Sequence, residues 1–251
     1  TSMLGVSGAN TDSPTIQVDP TGNVYVTGNT YGNLDGNTLT RASAAEPNAF
    51  ISKFDSSGIK QWTKTKGAST YSAGIAISVD SAGNSFLVGE MKGGTLDDGA
   101  VNTGGSDSGL TLVKYNTSGT WQASRVIGHS TGGTARHMGG QAVVIDSTGN
   151  IWAGGMSKSG VNCASPDLSQ TAAIFKFTSS TTYTGTCTGV NTSGGNTFIF
   201  GMAVDSSDNI YAVGYTDANM FDSITKNSSY SAGVNYDAFL IKFNASTGTK
   251  A

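Results

Sequence analysis

One thirteen-residue stretch occurs four times in this chain and constrains its fold more than any other feature. The copies read IQVDPTGNVYVTG at 16–28, ISVDSAGNSFLVG at 77–89, VVIDSTGNIWAGG at 143–155 and MAVDSSDNIYAVG at 202–214. Each copy contains a short apolar run, a polar turn and a second apolar run with one aromatic residue. Two such runs around a short polar turn are typical of a β-hairpin. The sequence therefore predicts four hairpins.

The turn of each copy begins with an aspartate, whose side chain can accept a backbone N–H two residues later and so nucleate a tight turn. Three copies then place a glycine where the turn needs a positive φ. In the last copy Asp208 replaces it, and aspartate is one of the few other residues that tolerate this conformation. The turn aspartates are 61, 66 and 59 residues apart, namely Asp19, Asp80, Asp146 and Asp205.

Two further strands are predicted after each hairpin. A long polar loop leads to a third apolar run at 49–54, 110–115, 172–177 and 238–243, and a Ser/Thr/Gly turn leads to a fourth strand at 60–66, 121–127 and 183–188. Four antiparallel strands at such a period are typical of one propeller blade. We predict an all-β, four-bladed β-propeller in one domain, 1–251, with repeats at 9–70, 71–131, 132–193 and 194–251 plus 1–8.

The fourth strand of the last repeat is missing, and residues 1–8 could supply it. The repeat that this creates across the chain ends would contain 65 residues, close to the other periods. A strand there would close the ring and remove two open sheet edges. The alternative is that the chain is a piece of a longer repeat protein.

The innermost strand of each blade has one large and one small face. Pairs such as Ile16 with Val18 and Ile77 with Val79 form the large face, while Ala76 and Ala142 lie on the small face. Large residues pack well against small ones, so we expect the blades to pack face to face through these strands.

Composition excludes several classes of protein. Glycine accounts for 35 of the 251 residues, the charged fraction is only 12% and the net charge is −3. A nucleic-acid surface needs a basic stripe, which this sequence lacks. No apolar run approaches the roughly 20 residues of a membrane-spanning helix. We expect any export signal to have been removed or to lie outside this sequence.

The repeated pattern VDPTGNVYVTG, a polar loop, NAFISKFDSSG and KQWTKTKG resembles the bacterial SBBP-type β-propeller repeat. The resemblance extends over nearly the whole chain and implies a propeller in an exported or cell-surface bacterial protein, with a role in binding. The chain differs from the family in having fewer repeats, and its loop GNTYGNLDG at 28–36 lacks the usual Phe-Pro.

Four long loops should emerge on the same face of the predicted propeller, at 29–48, 90–108, 157–171 and 215–237. Loops of this length are usually functional or disordered, and variable loops on a rigid scaffold commonly form binding sites. We therefore predict that this face binds the ligand. The candidate ligand-binding residues there and in the connection between the second and third blades are Tyr31, Arg41, Asp97, Asp98, His129, Arg136, His137, Tyr215, Asp217 and Asp222.

No cofactor, metal site or catalytic residue is predicted from a motif. His129 and His137 are eight residues apart without a third zinc ligand at a fixed spacing. Calcium is the cation that the loop carboxylates could hold, at Asp97, Asp98, Asp107, Asp217 and Asp222, but the register of a calcium loop is absent. No nucleophile motif with a base and no carboxylate pair at a working distance can be identified.

The predicted function is non-enzymatic binding or adhesion at the bacterial surface or outside the cell, by a monomer that recognises a protein or a glycan. Two alternatives remain. The chain could be a carbohydrate-active enzyme, a lyase or glycosidase that uses loop carboxylates, since propellers support both functions. It could also be a spacer in a longer surface protein, which predicts exposed apolar strands at both termini.

The two cysteines, Cys163 and Cys187, both lie in the third repeat. Neither occupies a position that is apolar in the other repeats, which favours a disulfide and an oxidising compartment. The alternative is two free thiols packed as small apolar groups.

A disulfide between Cys163 and Cys187 predicts that reduction lowers the melting temperature by several degrees, because the crosslink restricts the unfolded chain. Thermal melts with and without dithiothreitol, together with a thiol titration, would measure this. If the titration finds two thiols before reduction, the disulfide is absent.

Overall fold

The computed structural model describes residues 1–41, 43–102, 108–128, 138–158, 170–189, 192–193, 195–218, 220–221, 224–225, 236–244 and 246–250. The chain forms two compact units, Thr1–Gly128 and His129–Ala251. Each unit contains two large antiparallel sheets, and the units are described separately.

The first unit contains sheets 1 and 2, each of four antiparallel strands in chain order. Sheet 1 consists of β1 (Thr11–Val18), β2 (Val24–Thr30), β3 (Asn48–Phe54) and β4 (Lys60–Lys66), with a short 3₁₀ helix at Leu34–Gly36 after β2. Sheet 2 consists of β5 (Tyr71–Val79), β6 (Ser85–Lys92), β7 (Ser108–Tyr115) and β8 (Trp121–Ile127).

The second unit contains sheets 3 and 4 and a small additional sheet. Sheet 3 consists of β9 (Met138–Ile145), β10 (Ile151–Lys158), β11 (Gln170–Phe177) and β12 (Tyr183–Gly189). The small sheet joins β13 (Thr192–Ser193), β16 (Met220–Phe221) and β17 (Ile224–Thr225). Sheet 4 has three strands, β14 (Thr197–Val204), β15 (Asn209–Thr216) and β18 (Asp237–Asn244).

The predicted all-β class, the hairpins and the third and fourth strands agree with this architecture. The N-terminal segment differs from the prediction, because residues 1–8 include no strand where the sequence predicts a closing strand. Val6 forms an isolated bridge with Ala9, and the Ser2 hydroxyl donates to the Gly58 carbonyl at 3.0 Å, so this segment lies against sheet 1. The predicted ring closure and single domain therefore remain predictions.

The four hairpin turns have the same hydrogen bonds. In the first, Asp19 Oδ1 accepts from the backbone N–H groups of Thr21 and Asn23, both at 2.9 Å, and Asp19 Oδ2 accepts from the Asn23 side chain at 2.8 Å. The same three bonds recur around Asp80, Asp146 and Asp205. Burial alone would raise the pKa of Asp19, but these bonds outweigh it and lower the pKa to about 2.

The fourth position of each turn has a positive φ, as the sequence predicts. The angle is 85° at Gly22 and 61° at Asp208, which confirms that aspartate adopts the conformation that glycine has elsewhere. Asp208 also accepts hydrogen bonds from the backbone and the hydroxyl of Ser147 in sheet 3. The exception to the repeat therefore links the turns of two neighbouring sheets.

In three sheets the turn aspartate also accepts a hydrogen bond from the aromatic residue that recurs in the second strand of each repeat. Tyr25 donates to Asp19 at 3.4 Å, Trp152 donates to Asp146 at 2.9 Å and Tyr211 donates to Asp205 at 3.3 Å. In sheet 2 this residue is Phe86, which has no polar hydrogen. The bond therefore joins the turn to a buried core ring in sheets 1 and 3, and to the partly buried Tyr211 in sheet 4.

A lysine of the third strand lies over the same aromatic ring in every sheet. The distances from Nζ to the ring centroid are 5.2, 5.3, 4.7 and 5.7 Å for the pairs Lys53–Tyr25, Lys114–Phe86, Lys176–Trp152 and Lys242–Tyr211. Each pair has the geometry of a cation–π interaction. The recurring lysines are thus structural.

Within each unit, the sheets pack through opposite faces. In sheets 1 and 3, we call the face that packs on the next sheet of the same unit the forward face and the opposite one the rear face. The same names are used for the equivalent positions of sheets 2 and 4. In the first unit the forward face of sheet 1 packs on the rear face of sheet 2, through Tyr25, Ala49 and Ile51 on one side and Ile77, Leu87, Val113 and Tyr115 on the other. In the second unit the forward face of sheet 3 packs on the rear face of sheet 4, through Trp152, Ala172 and Ile174 and through Met202, Ala212, Ile241 and Phe243.

Ile77 is buried, with 5% exposed, but its cluster contains the large residues Tyr25 and Ile51 besides Ala49, so the packing is not simply large on small. The equivalent of Ile77 in sheet 1 is exposed. Ile16 is 62% exposed and Val18 is 51% exposed. Both lie on the rear face of sheet 1, which no other large sheet of its unit covers. Ile16 of sheet 1 is therefore exposed, whereas the equivalent Ile77 of sheet 2 is buried.

Asp146→Asn should reduce stability more than Asp80→Asn. An asparagine can accept the backbone bonds, as Asn116 does in the turn between β7 and β8. Asp146→Asn, however, removes the oxygen that accepts the hydrogen bond of the buried Trp152 N–H. The loss should cost about 1.5–3 kcal/mol, which is the usual contribution of a hydrogen bond to a charged group. Phe86 makes no such bond, so Asp80 is the matched control. Urea unfolding would measure both variants, and equal losses would contradict a stabilising role of the ring bond.

Candidate functional site

A polar groove of about 500 Å³ in the first unit is the site that best combines accessible space with charged and aromatic groups. Its volume lies within the usual range for ligand pockets. The end of β4 borders it on one side, and the turn before β8 with the start of β8 borders it on the other. The lining residues are Lys64, Thr65, Lys66, Asp97, Asp98, Tyr115, Ser118, Gly119, Thr120 and Trp121.

The loop after β6 reaches the groove because it folds back onto the end of β4. Leu96 bridges to Ala68, and the loop closes on itself through a bridge between Thr95 and Val101. Leu96 is also buried against Ala68 and Met91. This small apolar cluster fixes the loop, so the carboxylates that follow Leu96 are held at the groove.

Asp97 connects this loop to the end of β4. Its backbone N–H donates to the Gly67 carbonyl at 2.9 Å, and the Gly67 N–H donates to Asp97 Oδ2 at 3.1 Å. The side chain of Asp97 remains 30% exposed. One carboxylate of the pair is therefore both anchored and accessible to a ligand.

The ammonium group of Lys66 is the centre of the site. It lies 2.7 Å from Asp97 Oδ1 and 2.7 Å from Asp98 Oδ2, and it is 5.2 Å from the centroid of the Trp121 ring. The side chains of Lys66 and Asp98 are each only 7% exposed. Since a buried charge needs partners, the two carboxylates and the ring compensate for the desolvation of Lys66.

Asp98 is ionised and rigidly held. It accepts hydrogen bonds from the Ser124 hydroxyl and from the Ala100 N–H, the latter at 3.0 Å. Burial would raise its pKa, but the bonds from Lys66 and Ser124 outweigh burial and the pKa of Asp98 is lowered. Asp98 is therefore an acceptor in this groove and not a proton donor.

Two aromatic residues complete the groove. Trp121 is 44% exposed, and its indole N–H donates to the Ser124 hydroxyl at 3.0 Å, which fixes the ring along β8. Tyr115 is 3% exposed, and burial raises its pKa, with Asp97 and Asp98 adding to the effect. The hydroxyl of Tyr115 is therefore protonated at neutral pH, and Trp121 is the ring that a ligand can contact.

The charges that line the groove balance, because two lysines face two aspartates. The groove offers carboxylate acceptors, ammonium donors and one fixed aromatic surface, which together suit an uncharged ligand with many hydroxyl groups. Within the described residues, no group of three or more His, Cys, Asp and Glu side chains is placed to hold a metal ion.

A second polar hollow, of about 410 Å³, lies beside the turns of sheets 3 and 4. Its carboxylates are Asp146 and Asp208, which accept the hydrogen bonds of the turns themselves. These carboxylates serve the hydrogen bonding of the turns, so the hollow is a feature of the fold.

Three other residues that the sequence predicts as ligand-binding do not line the groove and form hydrogen bonds elsewhere. Arg41 donates to the carbonyls of Ala44 and Glu46, at 3.2 and 3.1 Å, and so stabilises its own loop. Asp217 is 4% exposed and accepts from the Asn196 N–H. Tyr31 is partly buried, and its backbone N–H donates to the Asn10 carbonyl at 2.9 Å.

Tyr215 belongs to an aromatic cluster in sheet 4, with ring centroids 5.1 Å from those of Phe198 and Phe200 and 4.4 Å from that of Tyr236. The other predicted site residues, His129, Arg136, His137 and Asp222, lie outside the described residues, as does Asp107. Cys187 lies in β12 opposite Phe175, but Cys163 is also outside them, so the disulfide remains a prediction.

The sequence predicts Asp97 and Asp98 as site residues, but it does not predict Lys66 and Trp121, which line the same groove. Trp121 has the same position in its repeat as Lys60, which is solvent-exposed. A tryptophan where another repeat has an exposed lysine was the available signal. Nothing in the pattern marked Lys66, because its role depends on the fold of the loop after β6.

The sheets and their hairpins define this chain as an all-β protein of repeated, propeller-like sheets. The SBBP β-propeller repeat model matches residues 3–35 and 181–222, which include the first and the last hairpin. The predicted resemblance to this family is therefore confirmed in those two segments. No helix in the described part of the chain is long and apolar enough to cross a membrane.

Among solved structures, the chain is similar to a protein of unknown function from Bacteroides caccae, determined at 1.35 Å. The two are 8% identical, with a TM-score of 0.45, and the alignment covers 98% of this chain and 60% of the other. The chain thus spans about 60% of the length of that protein. No curated protein matches the sequence.

The lowered pKa of Asp98 predicts how stability depends on pH. A carboxylate whose pKa is lower in the folded than in the unfolded state stabilises the fold above the unfolded value, and this contribution is lost as pH falls. Between pH 5 and pH 3 the wild type should therefore lose more stability than Asp98→Asn, which cannot titrate there. Urea unfolding at both pH values measures the difference, and equal losses would show that Asp98 is not held ionised by Lys66.

Proposed function

We propose that this chain is a non-enzymatic binding module for an uncharged glycan, and that the glycan lies in the groove beside Lys66, Asp97, Asp98 and Trp121. The observation that carries the proposal is the half-exposed Trp121 ring, fixed next to a buried ion-pair cluster. A sugar presents an apolar face and a rim of hydroxyl groups. The ring would pack on that face, while the accessible oxygens of Asp97 would accept hydrogen bonds from the hydroxyls.

The character of the groove favours a sugar over other small ligands. Pockets for drug-like molecules are mainly apolar, whereas charged and hydroxyl side chains dominate this lining. The balance of two lysines and two aspartates also gives no preference for an anionic ligand. A neutral, hydroxyl-rich ligand fits both properties.

The enzyme alternative would need a loop carboxylic acid that is protonated at neutral pH. The pKa of Asp98 is lowered instead, and Lys66 contacts both carboxylates of the pair. The groove therefore supports binding better than glycosidase chemistry.

A location outside the cell or on the bacterial surface, and a role in adhesion, are also part of this proposal. They rest on the SBBP resemblance, together with the predicted disulfide. A protein ligand is the second possibility for a binder of this type, and the aromatic cluster around Tyr215 favours it.

Closure of four blades by an N-terminal strand is a separate hypothesis. The even spacing of the repeats supports it. The position of Ser2 against Gly58 and the exposed rear face of sheet 1 support the alternative, in which the faces of the first and last sheets are open to partners. The oligomeric state of the chain tests both.

Binding of the 251-residue chain to an array of neutral and acidic glycans, followed by calorimetry of any hit, tests the function. Trp121→Ala should weaken binding about fivefold or more, because an aromatic anchor in a contact commonly contributes over 1 kcal/mol. Asp97→Asn should also weaken it.

Tyr236→Ala is the matched control, since Tyr236 is an exposed aromatic residue of the other unit, 56% accessible. It should leave glycan binding unchanged. An array without hits, or a hit that Trp121→Ala does not weaken, would refute the glycan groove.

A further inference from the structure

Each of the two units contains the same kind of sheet-to-sheet interface. In each unit the aromatic and aliphatic residues of a forward face pack on the large aliphatic residues of the next rear face. The equivalent positions are used both times, so that Ile51 in sheet 1 corresponds to Ile174 in sheet 3. Both are fully buried. The repeat thus encodes one interface with two complementary sides.

One copy of each side is exposed. On the rear face of sheet 1, Ile16 is 62% and Val18 is 51% exposed. On the forward face of sheet 4, Val213 and Leu240 are directly opposite each other in the β15–β18 pairing and are 46% and 66% exposed. Leu240 occupies the position of the buried Ile51. Exposed apolar surfaces of this kind mark interaction sites.

The forward face of sheet 4 is also more aromatic than its counterparts. Phe198 and Tyr215 are cross-strand partners, and the rings of Phe200 and Tyr236 contact Tyr215. Phe200 is 49% exposed and lies at the irregularity of β14, where it has no cross-strand partner. Large rings on an open sheet face supply the anchors that protein interfaces use.

We propose that the forward face of sheet 4 binds the rear face of sheet 1 of a second copy of this chain. The two sides are complementary because they repeat the contacts of the interfaces already present. Ile16 of the second copy would pack on Tyr211 and Leu240, as Ile77 packs in the cluster of Tyr25 and Ile51. The contact is head to tail, since different surfaces meet.

The proposal extends to one specific polar contact. Lys53 of sheet 1 donates to the carbonyl and the hydroxyl of Thr117 in sheet 2, at 3.2 and 2.9 Å. Lys242 is the equivalent of Lys53, and Ser56 is the equivalent of Thr117. Lys242 would therefore donate to Ser56 of the second copy.

The N-terminal residues compete for part of this surface. Thr1, Ser2 and Leu4 line a cavity of about 470 Å³ with Val24, Val26 and Phe54 of the rear face of sheet 1. Met3 is 93% exposed, so the segment contributes little apolar packing there. Deletion of residues 1–4 should therefore strengthen self-association. If an N-terminal strand closed the ring, the same deletion would instead destabilise the fold.

Sedimentation velocity of the 251-residue chain over a wide concentration range tests the proposal. Species of twice the 25.5 kDa mass and larger should increase with concentration. Leu240→Asp and Ile16→Asp should each weaken association at least about tenfold, because each places a charge in an apolar interface. Since each variant retains the face that the other lacks, a mixture of the two should form dimers but nothing larger.

Val101→Asp is the matched control, because Val101 is 55% exposed and lies on neither face. It should associate like the wild type, and circular dichroism should confirm that all variants fold. A wild type that is monomeric at every concentration would overturn the proposal. These faces would then be covered by other sheets of a longer protein, or by no partner. A mixture of the two charged variants that stays monomeric would also overturn it.

Discussion

The aspartate turn is the interaction on which the rest of the structure depends. One carboxylate satisfies two backbone N–H groups and an asparagine side chain, and so fixes the angle between the first two strands of a sheet. In sheets 1 and 3 it also binds the ring that fills the sheet interface, so the turn geometry and the core packing are set there by the same side chain. The lysine above that ring belongs to the third strand, so its cation–π contact connects this strand to the same ring.

Much of the fold could be predicted because its determinants are local. The pattern from Asp19 to Asn23 identifies a turn without knowledge of anything distant, and the fourth strands at Lys60–Lys66 and Trp121–Ile127 were predicted to the residue. The N-terminal segment was harder to predict, because its position depends on contacts with Gly58 and the rear face of sheet 1. The short strands β13, β16 and β17 have only two residues each and no pattern of their own.

The candidate site shows the same limit more clearly. Asp97 and Asp98 are conspicuous as adjacent carboxylates in a polar loop, so the sequence suggested them. Their partner Lys66 ends a strand 31 residues before Asp97, and it reaches them only because Leu96 packs against Ala68 and Met91. A sequence shows which groups are chemically able to interact. Which of them meet depends on how a loop without a repeated pattern packs.

The turns have a consequence for how such a chain can change during evolution. All the side-chain bonds of Asp19 join residues at most six positions apart, and the same holds for Asp146 and Asp205. Duplication or loss of a complete repeat by recombination would therefore leave every remaining turn intact. The contacts between flanking sheets would acquire new partners, including polar ones such as those of Lys53 with Thr117 and of Ser147 with Asp208. Selection on repeat number can thus act on the surfaces between sheets, while the hairpins themselves need no further adaptation.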